Sequence, residues 1–287
     1  IKLGLNGVPS MLLVALRYLI TAFPAVFFIK KPNTEWKYII LYGLAVGVGQ
    51  FSCLFYAMEI GMPAGLASII VQLQGFISPI FAYMFLHEKL KPKQIIGILI
   101  AGVGLYVIGT ATEINGISAV PLGALLLTIG APVFWSLSNI VARFASQKTA
   151  AKGEKLDMFG LVVWSSLIPP LPLLIMAFML DSPNTIYSAI ANMNGMSIFA
   201  VLYLAFGATV FGYGVWNYLI AKYPMGKIAP LSLMVPVTGL FTAGIVLSEE
   251  LSKLQQYGVA IILFGLLVTN IDFKAIINRF NKFGVKG

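Results

Sequence analysis

The sequence predicts an all-α polytopic membrane protein, and three observations lead to this prediction. Of the 287 residues, 59% are hydrophobic and only 10% are charged, whereas about a quarter of the residues in a soluble domain are charged. Nine stretches are long and apolar enough to cross a hydrocarbon core of ~30 Å. These stretches are continuously apolar and lack the period-two alternation of an outer-membrane barrel. The composition excludes a soluble fold, and the continuous runs favour helices.

The nine predicted spans are separated by short connections. They comprise residues 9–29, 38–58, 64–86, 94–111, 120–142, 157–180, 196–221, 227–247 and 254–271. Lysine and arginine concentrate in alternate connections and at the C-terminus, which is typical of cytoplasmic ends. We therefore expect a multi-pass protein of the bacterial inner membrane with a cytoplasmic basic tail at 272–287. This orientation places residues 1–8 outside and predicts a further helix before Ile1.

Composition also limits the chemistry that the chain can perform. The formal charge of +9 lies mainly in the connections, where basic residues act as topology signals rather than as nucleic-acid contacts. Cys53 is the only cysteine and His87 the only histidine, so no intrachain disulfide and no cluster of soft metal ligands is expected. We expect no cofactor and no nucleic acid. The expected partners are a small-molecule substrate and the lipid bilayer, and no feature requires an oligomer.

The sequence contains an internal repeat at an offset of 161 residues. The segment LHEKLKPKQIIG at 86–97 aligns with LSEELSKLQQYG at 247–258, and the same offset pairs Tyr42 with Tyr203. The loop charges place the first segment in the cytoplasm and the second outside, so the two halves are predicted to be inverted. The predicted domains are a first repeat at 1–111, an external linker at 112–119 and a second repeat at 120–271. The second repeat has five spans and the first has four, which again predicts a helix before Ile1.

Three motifs resemble the EamA family of the drug/metabolite transporter superfamily. They are GMPAGLAS at 61–68, the EKL and EEL turns at Glu88 and Glu249, and APLSLMVPV at 229–237. The resemblance extends from about residue 1 to residue 271. It implies a ten-helix fold of five plus five and a central cavity between the halves. It also implies export of small amino-acid metabolites, of the O-acetylserine and cysteine kind, by alternating access.

Polar side chains inside the spans are the candidate cavity residues, because an unsatisfied amide in hydrocarbon is costly. Gln72 and Gln74 point about 200° apart on a regular helix, so both face one cavity only if the helix is distorted near Gly75. An aromatic ring beside an amide recurs on two spans and suits a zwitterionic amino acid. The alternative interpretation is interhelical hydrogen bonding and packing. The predicted substrate-binding residues are Gln50, Gln72, Gln74, Trp135, Asn139, Tyr213, Trp216, Asn217 and Ser232.

Prolines predict two bent spans, because proline frees a backbone carbonyl and allows bending. In the span 227–247, Pro230 and Pro236 bracket Ser232 and are the predicted gating residues. In the span 157–180, the run 169–172 contains three prolines and is predicted to interrupt the helix.

Three charged residues have both a functional and a structural interpretation. Arg17 lies inside a span and could attract a substrate carboxylate, but its side chain is also within reach of the outer interface and is expected to snorkel there. Glu88 and Glu249 each follow a span, and each is expected to cap the N-terminus of the next helix.

The sequence favours a transporter over other kinds of membrane protein. No Asp or Glu lies in the middle of a span, so no coupling carboxylate is evident, and no Walker A motif supports ATP hydrolysis. An intramembrane enzyme would need a base, a nucleophile or a metal inside the bundle, and a receptor would bind its ligand without moving it. Other amino acids, nucleobase-like metabolites and amphipathic drugs are alternative substrates.

Overall fold

The computed structural model describes residues 1–5, 7–110, 120–212, 215 and 234–270, and all regular structure in these residues is helical. Within these ranges, nine helices follow the predicted spans in order. They are α1 (Ser10–Ala22), α2 (Trp36–Glu59), α3 (Ala64–Leu86), α4 (Pro92–Gly109), α5 (Leu122–Ala150), α6 (Met158–Leu180), α7 (Gly195–Phe211), α8 (Met234–Leu247) and α9 (Lys253–Asn270). Short helices at Ala25–Phe28 and Pro183–Ala191 follow α1 and precede α7.

Several of these helices are long and apolar enough to cross a membrane. Five meet the length and composition of a span, namely Ser10–Phe28, α2, α3, α5 and α6. The helix Pro183–Ala191 and α7 meet at a bend of 94° and form a sixth candidate when taken together. The described parts of α4, α8 and α9 are shorter apolar helices, and residues 216–233 lie outside the described ranges. The prediction of a polytopic helical membrane protein is confirmed.

Each helix buries one face and leaves large apolar side chains on the other. Leu13 on α1 and Ile70 on α3 are fully buried, whereas Tyr106 on α4 and Met179 on α6 are among the most exposed residues. In water such exposure would mark an interaction surface. On a bundle of this composition, the exposed apolar faces are the ones that contact lipid tails.

The structure extends one predicted helix and interrupts another. Helix α5 continues to Ala150 rather than ending at 142, because residues 143–150 contain no glycine or proline to stop it. Helix α6 is interrupted as predicted: its first part ends at Ser165 and its second begins at Pro170. Gly43 of α2 packs against this break, where a Cβ would lie 2.6 Å from the carbonyl oxygen of Ser165.

Helices α2 and α7 each contain a π-helical segment, at Gly43–Gln50 and Tyr203–Phe211. Shifted by the repeat offset, the first segment corresponds to 204–211, so the two occupy equivalent positions. In the second segment, the Thr209 hydroxyl donates to the carbonyl oxygen of Leu204 at 2.8 Å, five residues earlier. Wide turns of this kind are rare and often lie at functional sites. The sequence analysis did not predict them.

The turns after α3 and α8 also have the same local structure. Each helix ends in a left-handed residue, His87 (φ 55°) or Ser248 (φ 52°). The next backbone N–H, that of Glu88 or Glu249, donates at 3.2 Å to a carbonyl six residues earlier. In both turns a glutamine side chain then accepts from a backbone N–H three residues earlier, at 2.8 and 2.9 Å. The aligned segments of the sequence repeat therefore fold alike.

Helices α4 and α9 cross in close, antiparallel contact through glycines. Gly97 faces Gly265, and Gly104 faces Gly258. A Cβ on Gly104 would lie 2.7 Å from the carbonyl oxygen of Gly258, and a Cβ on Gly258 would lie 2.7 Å from that of Gly104. Small residues allow helix backbones to approach in this way without a large hydrophobic contribution. The repeat offset of 161 residues aligns Gly97 with Gly258 and Gly104 with Gly265. Each contact is therefore the repeat equivalent of the other, and the crossing is close to two-fold symmetric.

Glu249 joins α8 to the start of α3. Its carboxylate accepts from the backbone N–H groups of Ala64 and Gly65, both at 2.9 Å, and from the Lys2 ammonium at 2.7 Å. Burial alone would raise the pKa of Glu249, but the Gly65 N–H, Lys2 and the Ala64 N–H outweigh it and hold the pKa below its usual value. The expectation that Glu249 caps the following helix was wrong, because the carboxylate reaches a helix N-terminus that is 185 residues away in sequence.

Glu88 also departs from its expected capping role. Its carboxylate forms an ion pair with Arg143 of α5, and both side chains are partly exposed. The backbone N–H of Lys91, at the start of α4, donates instead to the Gln94 side chain. The two glutamates thus occupy equivalent turns and bind different partners.

The glycine crossing gives a first stability prediction. Gly104→Ala should lower the free energy of unfolding by about 1–3 kcal/mol, because the new methyl group overlaps the α9 backbone. Gly102→Ala is the matched control, since a Cβ there meets no atom within 4 Å, and it should be neutral or slightly stabilising. Thermal unfolding of the two variants in detergent would measure the difference. Equal unfolding temperatures for Gly104→Ala and Gly102→Ala would contradict the close contact of α4 with α9 at Gly104.

Glu249→Gln should weaken the junction between α3 and α8 by roughly 1 kcal/mol, the typical loss of a helix cap. Because the folded-state pKa of Glu249 is lowered, its contribution is complete above its unfolded pKa of about 4.3 and is lost as the pH falls through the folded value. The difference in unfolding temperature from the wild type should therefore shrink below about pH 4. Glu250→Gln, at the exposed neighbour, is the control. A difference that persists at low pH would contradict the assignment.

Candidate functional site

A cavity of about 520 Å³ lies between helices from both halves of the chain. Its wall is largely apolar, with polar groups from Ser68 and Gln72 of α3, Tyr203 of α7, and Thr238 of α8. The Trp135 ring on α5 completes the inner wall, and Lys2 lies at the N-terminal side. A few polar groups in an apolar concavity are typical of a small-molecule site.

A short 3₁₀ segment, Val71–Leu73, contains Gln72 and ends directly before Gln74 in α3. Gln72 is buried and lines the central cavity. Gln74 faces α5 instead, where its side-chain oxygen accepts from the Asn139 amide at 3.4 Å. The two glutamines therefore contact different surroundings, and the distortion near Gly75 does not bring them into one cavity.

Gln74 belongs to a polar cluster between α3 and α5. Asn139 donates to Gln74 and, at 3.3 Å, to the Ser78 hydroxyl. Ser78 donates in turn to Ser136 at 3.1 Å. Interhelical hydrogen bonds of this kind contribute roughly 0.6–2 kcal/mol each in membranes. In this structure Gln74 and Asn139 make the interhelical hydrogen bonds that the structural interpretation describes.

The polar cluster borders a second, smaller cavity of about 220 Å³. Its wall includes Ser78 and Asn139 from the cluster, and the Glu88–Arg143 ion pair forms its other end. Arg143, Asn139 and Ser136 lie three to four residues apart on α5 and so share one helix face. Polar side chains therefore recur along this face of α5 from the ion pair to the buried Ser136.

The remaining predicted residues fall in different places. Trp135 and Asn139, expected to act as a pair, line different cavities. Gln50 is buried but is not among the residues that line either cavity, and its side-chain oxygen has no hydrogen-bond partner among the described residues. Pro236 lies near the described start of α8. Five predicted residues lie outside the described ranges: Tyr213, Trp216, Asn217, Pro230 and Ser232.

The expectation that Arg17 snorkels to the interface was wrong. The residue is only 4% exposed, and its guanidinium donates to the Thr209 hydroxyl through two nitrogens, at 3.1 and 2.9 Å. The group also lies over the Phe51 ring, 4.1 Å from its centroid, and near the Tyr18 ring. Tertiary partners on α2 and α7 hold the charge inside the bundle, where it is shielded from lipid.

Sequence reasoning missed Tyr203, Thr238 and Lys2 as cavity residues. The predicted set consists mainly of amides and tryptophans and includes only two hydroxyl side chains, Tyr213 and Ser232, although the match of Tyr203 with Tyr42 in the repeat was a usable signal. Lys2 reaches the cavity because it pairs with Glu249, a contact that no local pattern predicts. Within the described part of the chain, no three His, Cys, Asp or Glu side chains lie together to hold a metal.

Comparison with known proteins places this architecture in a family. The model of the EamA-like transporter family matches residues 1–110 and 122–271. A solved crystal structure superposes with a TM-score of 0.58 at 17% sequence identity, over 92% of this chain and 88% of that chain. At this identity the likeness concerns the fold alone.

Two curated bacterial relatives are similar along nearly their whole length. A probable amino-acid metabolite efflux pump of Salmonella typhimurium (strain LT2) is 38% identical, over 96% of this chain and 90% of that protein. A probable amino-acid metabolite efflux pump of Escherichia coli (strain K12) is 37% identical, over 93% and 88%. With a family match over most of its length and two such relatives, the chain belongs to the EamA-like transporter family.

Proposed function

We propose that this protein exports small amino-acid metabolites, of the O-acetylserine and cysteine kind, by alternating access. The observation that carries the proposal is the central cavity, whose wall comes from α2 and α3 in the first half and from α5, α7 and α8 in the second. Secondary transporters with repeated halves bind their substrates between the halves, near the middle of the membrane. The names of the two relatives point to the same substrate class.

The chemistry of the cavity suits a small zwitterion. Gln72, Ser68, Thr238 and Tyr203 offer amide and hydroxyl groups to an ammonium and a carboxylate, and the Trp135 ring can cover a short side chain. The described cavity wall includes one charged side chain, Lys2, and it is engaged by Glu249. Other amino acids, nucleobase-like metabolites and amphipathic drugs would use the same apolar surface and are the alternative substrates.

The proposed architecture is the ten-helix inverted repeat, with the first repeat at 1–111 and the second at 120–271. Equivalent π segments in α2 and α7, equivalent turns after α3 and α8, and the near-symmetric crossing of α4 and α9 support it. The cytoplasmic C-terminus in the inner membrane is part of the same proposal and follows from the lysine distribution.

Substrate would enter from the cytoplasm along the polar surface of the smaller cavity. In the proposed topology the Glu88–Arg143 pair lies at the cytoplasmic end of α3, and Asn139 and Ser78 lie deeper. Charged and amide groups along this surface would replace part of the hydration of a zwitterion as it leaves water. Bending of the predicted span 227–247 at Pro230 and Pro236 would then alternate the access of the central cavity.

The direct test uses the full-length protein in proteoliposomes loaded with labelled O-acetylserine or cysteine. Efflux should be faster than from protein-free liposomes loaded with the same compound. A change in the efflux rate under an imposed pH gradient would identify proton coupling. Absence of protein-dependent efflux for both compounds, with efflux of another compound class, would replace the proposed substrate and leave the fold unaffected.

Gln72→Ala and Trp135→Ala should each raise the KM for efflux about three- to tenfold, the loss expected for one hydrogen bond or ring contact to the substrate. Gln147→Ala, at an exposed position of α5 beyond the predicted span, removes the same side chain as Gln72→Ala and should leave KM unchanged. Initial efflux rates at several internal concentrations would measure KM. If both cavity variants insert normally into the membrane and keep the wild-type KM, the cavity does not bind the transported substrate.

A further inference from the structure

Arg17 is a buried cation for which the chain offers no carboxylate partner within the membrane. All ten acidic residues lie at span ends or in connections; they are Glu35, Glu59, Glu88, Glu113, Glu154, Asp157, Asp181, Glu249, Glu250 and Asp272. Glu59, the last residue of α2, accepts from Ser10 at the start of α1, seven residues or about two turns from Arg17. A charge held inside a bundle without a counter-ion is costly and marks a functional site by default.

Most N–H donors of the Arg17 guanidinium have no hydrogen-bond acceptor among the described residues. Among the described residues it donates to one neutral hydroxyl, that of Thr209, although a guanidinium has five N–H donors. Two buried acceptors, one on α1 and one on α2, are also unsatisfied among the described residues. Thr21 lies one turn along the same face of α1, and Gln50 directly precedes Phe51; both are buried, and neither side-chain oxygen has a hydrogen-bond partner among the described residues.

The position of Arg17 connects it to the central cavity. Phe51, the ring beneath the guanidinium, is three residues from Leu54 and seven from Met58 on α2, so the three share one helix face. Leu54 and Met58 line the cavity. Helix α7 likewise carries both Tyr203 of the cavity wall and Thr209. The two helices that contact the guanidinium, α2 and α7, therefore also contribute to the cavity wall.

We propose that Arg17 recognises the carboxylate of the exported substrate, so that only molecules with a free carboxylate are bound and moved. This inference rests on the proposed function and names the group that defines its substrate class. A carboxylate accepts two parallel N–H bonds from a guanidinium. The rest of the molecule, including the ammonium of an amino acid, would lie among the amide and hydroxyl groups of the central cavity, such as Gln72.

The test measures equilibrium binding of labelled L-cysteine to the full-length protein in detergent, with unlabelled cysteine or cysteinamide as competitor. The amide keeps the ammonium and the thiol and lacks the carboxylate. The wild type should prefer the acid at least tenfold. Arg17→Gln should weaken binding of the acid about tenfold and leave binding of the amide within twofold, so the preference disappears. A purely structural role would weaken both ligands together.

Arg17→Lys keeps the charge for folding and should retain a reduced preference, since an ammonium lacks the planar fork. Lys37→Gln removes an exposed cation on α2 and should leave the preference unchanged. Equal wild-type affinity for acid and amide, or an intact preference in Arg17→Gln, would overturn the role of Arg17 while the proposed function stands. Wild-type protein that binds neither compound would overturn the proposed substrate class and this inference with it.

Discussion

Lipid offers no hydrogen bonds, and this constraint shapes the whole bundle. Every backbone N–H and C=O in the hydrocarbon must find a partner within the chain, so even the distorted parts remain helical. The π segments of α2 and α7 keep their backbone bonded in wider turns, and the Thr209 hydroxyl donates to a carbonyl within the second of them. The same constraint turns polar side chains inward, so the two cavities contain most of the polar groups discussed above. Fold and candidate site therefore have one physical cause.

Much of the fold could be predicted because its signals are local. Hydropathy placed the spans, and the proline run at 169–172 correctly predicted the interruption of α6. The repeat was legible because glycine, proline and glutamate recur where backbone geometry demands them, as at the turns with left-handed His87 and Ser248. The π segments carry no comparable signature, since GLAVGVGQ and YLAFGATVF share little beyond small and apolar residues.

The candidate site was predicted less well because its contacts are long-range. Gln72 and Trp135 line the central cavity as a polarity argument suggests, but the partners of Gln74 and Asn139 are each other, across two helices. Arg17 and Thr209 are 192 residues apart, and Glu249 and Ala64 are 185 apart. A sequence pattern gives the distance of each charged residue from the membrane surface. It does not give the helix that packs against it, which decided whether Arg17 reached the interface or stayed inside.

The two glutamate turns are equivalent in the repeat and have the same local structure, but their glutamates bind different partners. Their backbone geometry and glutamine caps are the same, yet Glu249 binds the N-terminus of α3 while Glu88 pairs with Arg143. Local sequence therefore does not set this difference; the packing of neighbouring helices does. Each carboxylate exchanges water for a small number of charge-assisted bonds, which are individually worth only a few kcal/mol. Contacts of that strength can hold one end of a bundle together without preventing its rearrangement, which alternation between two states requires.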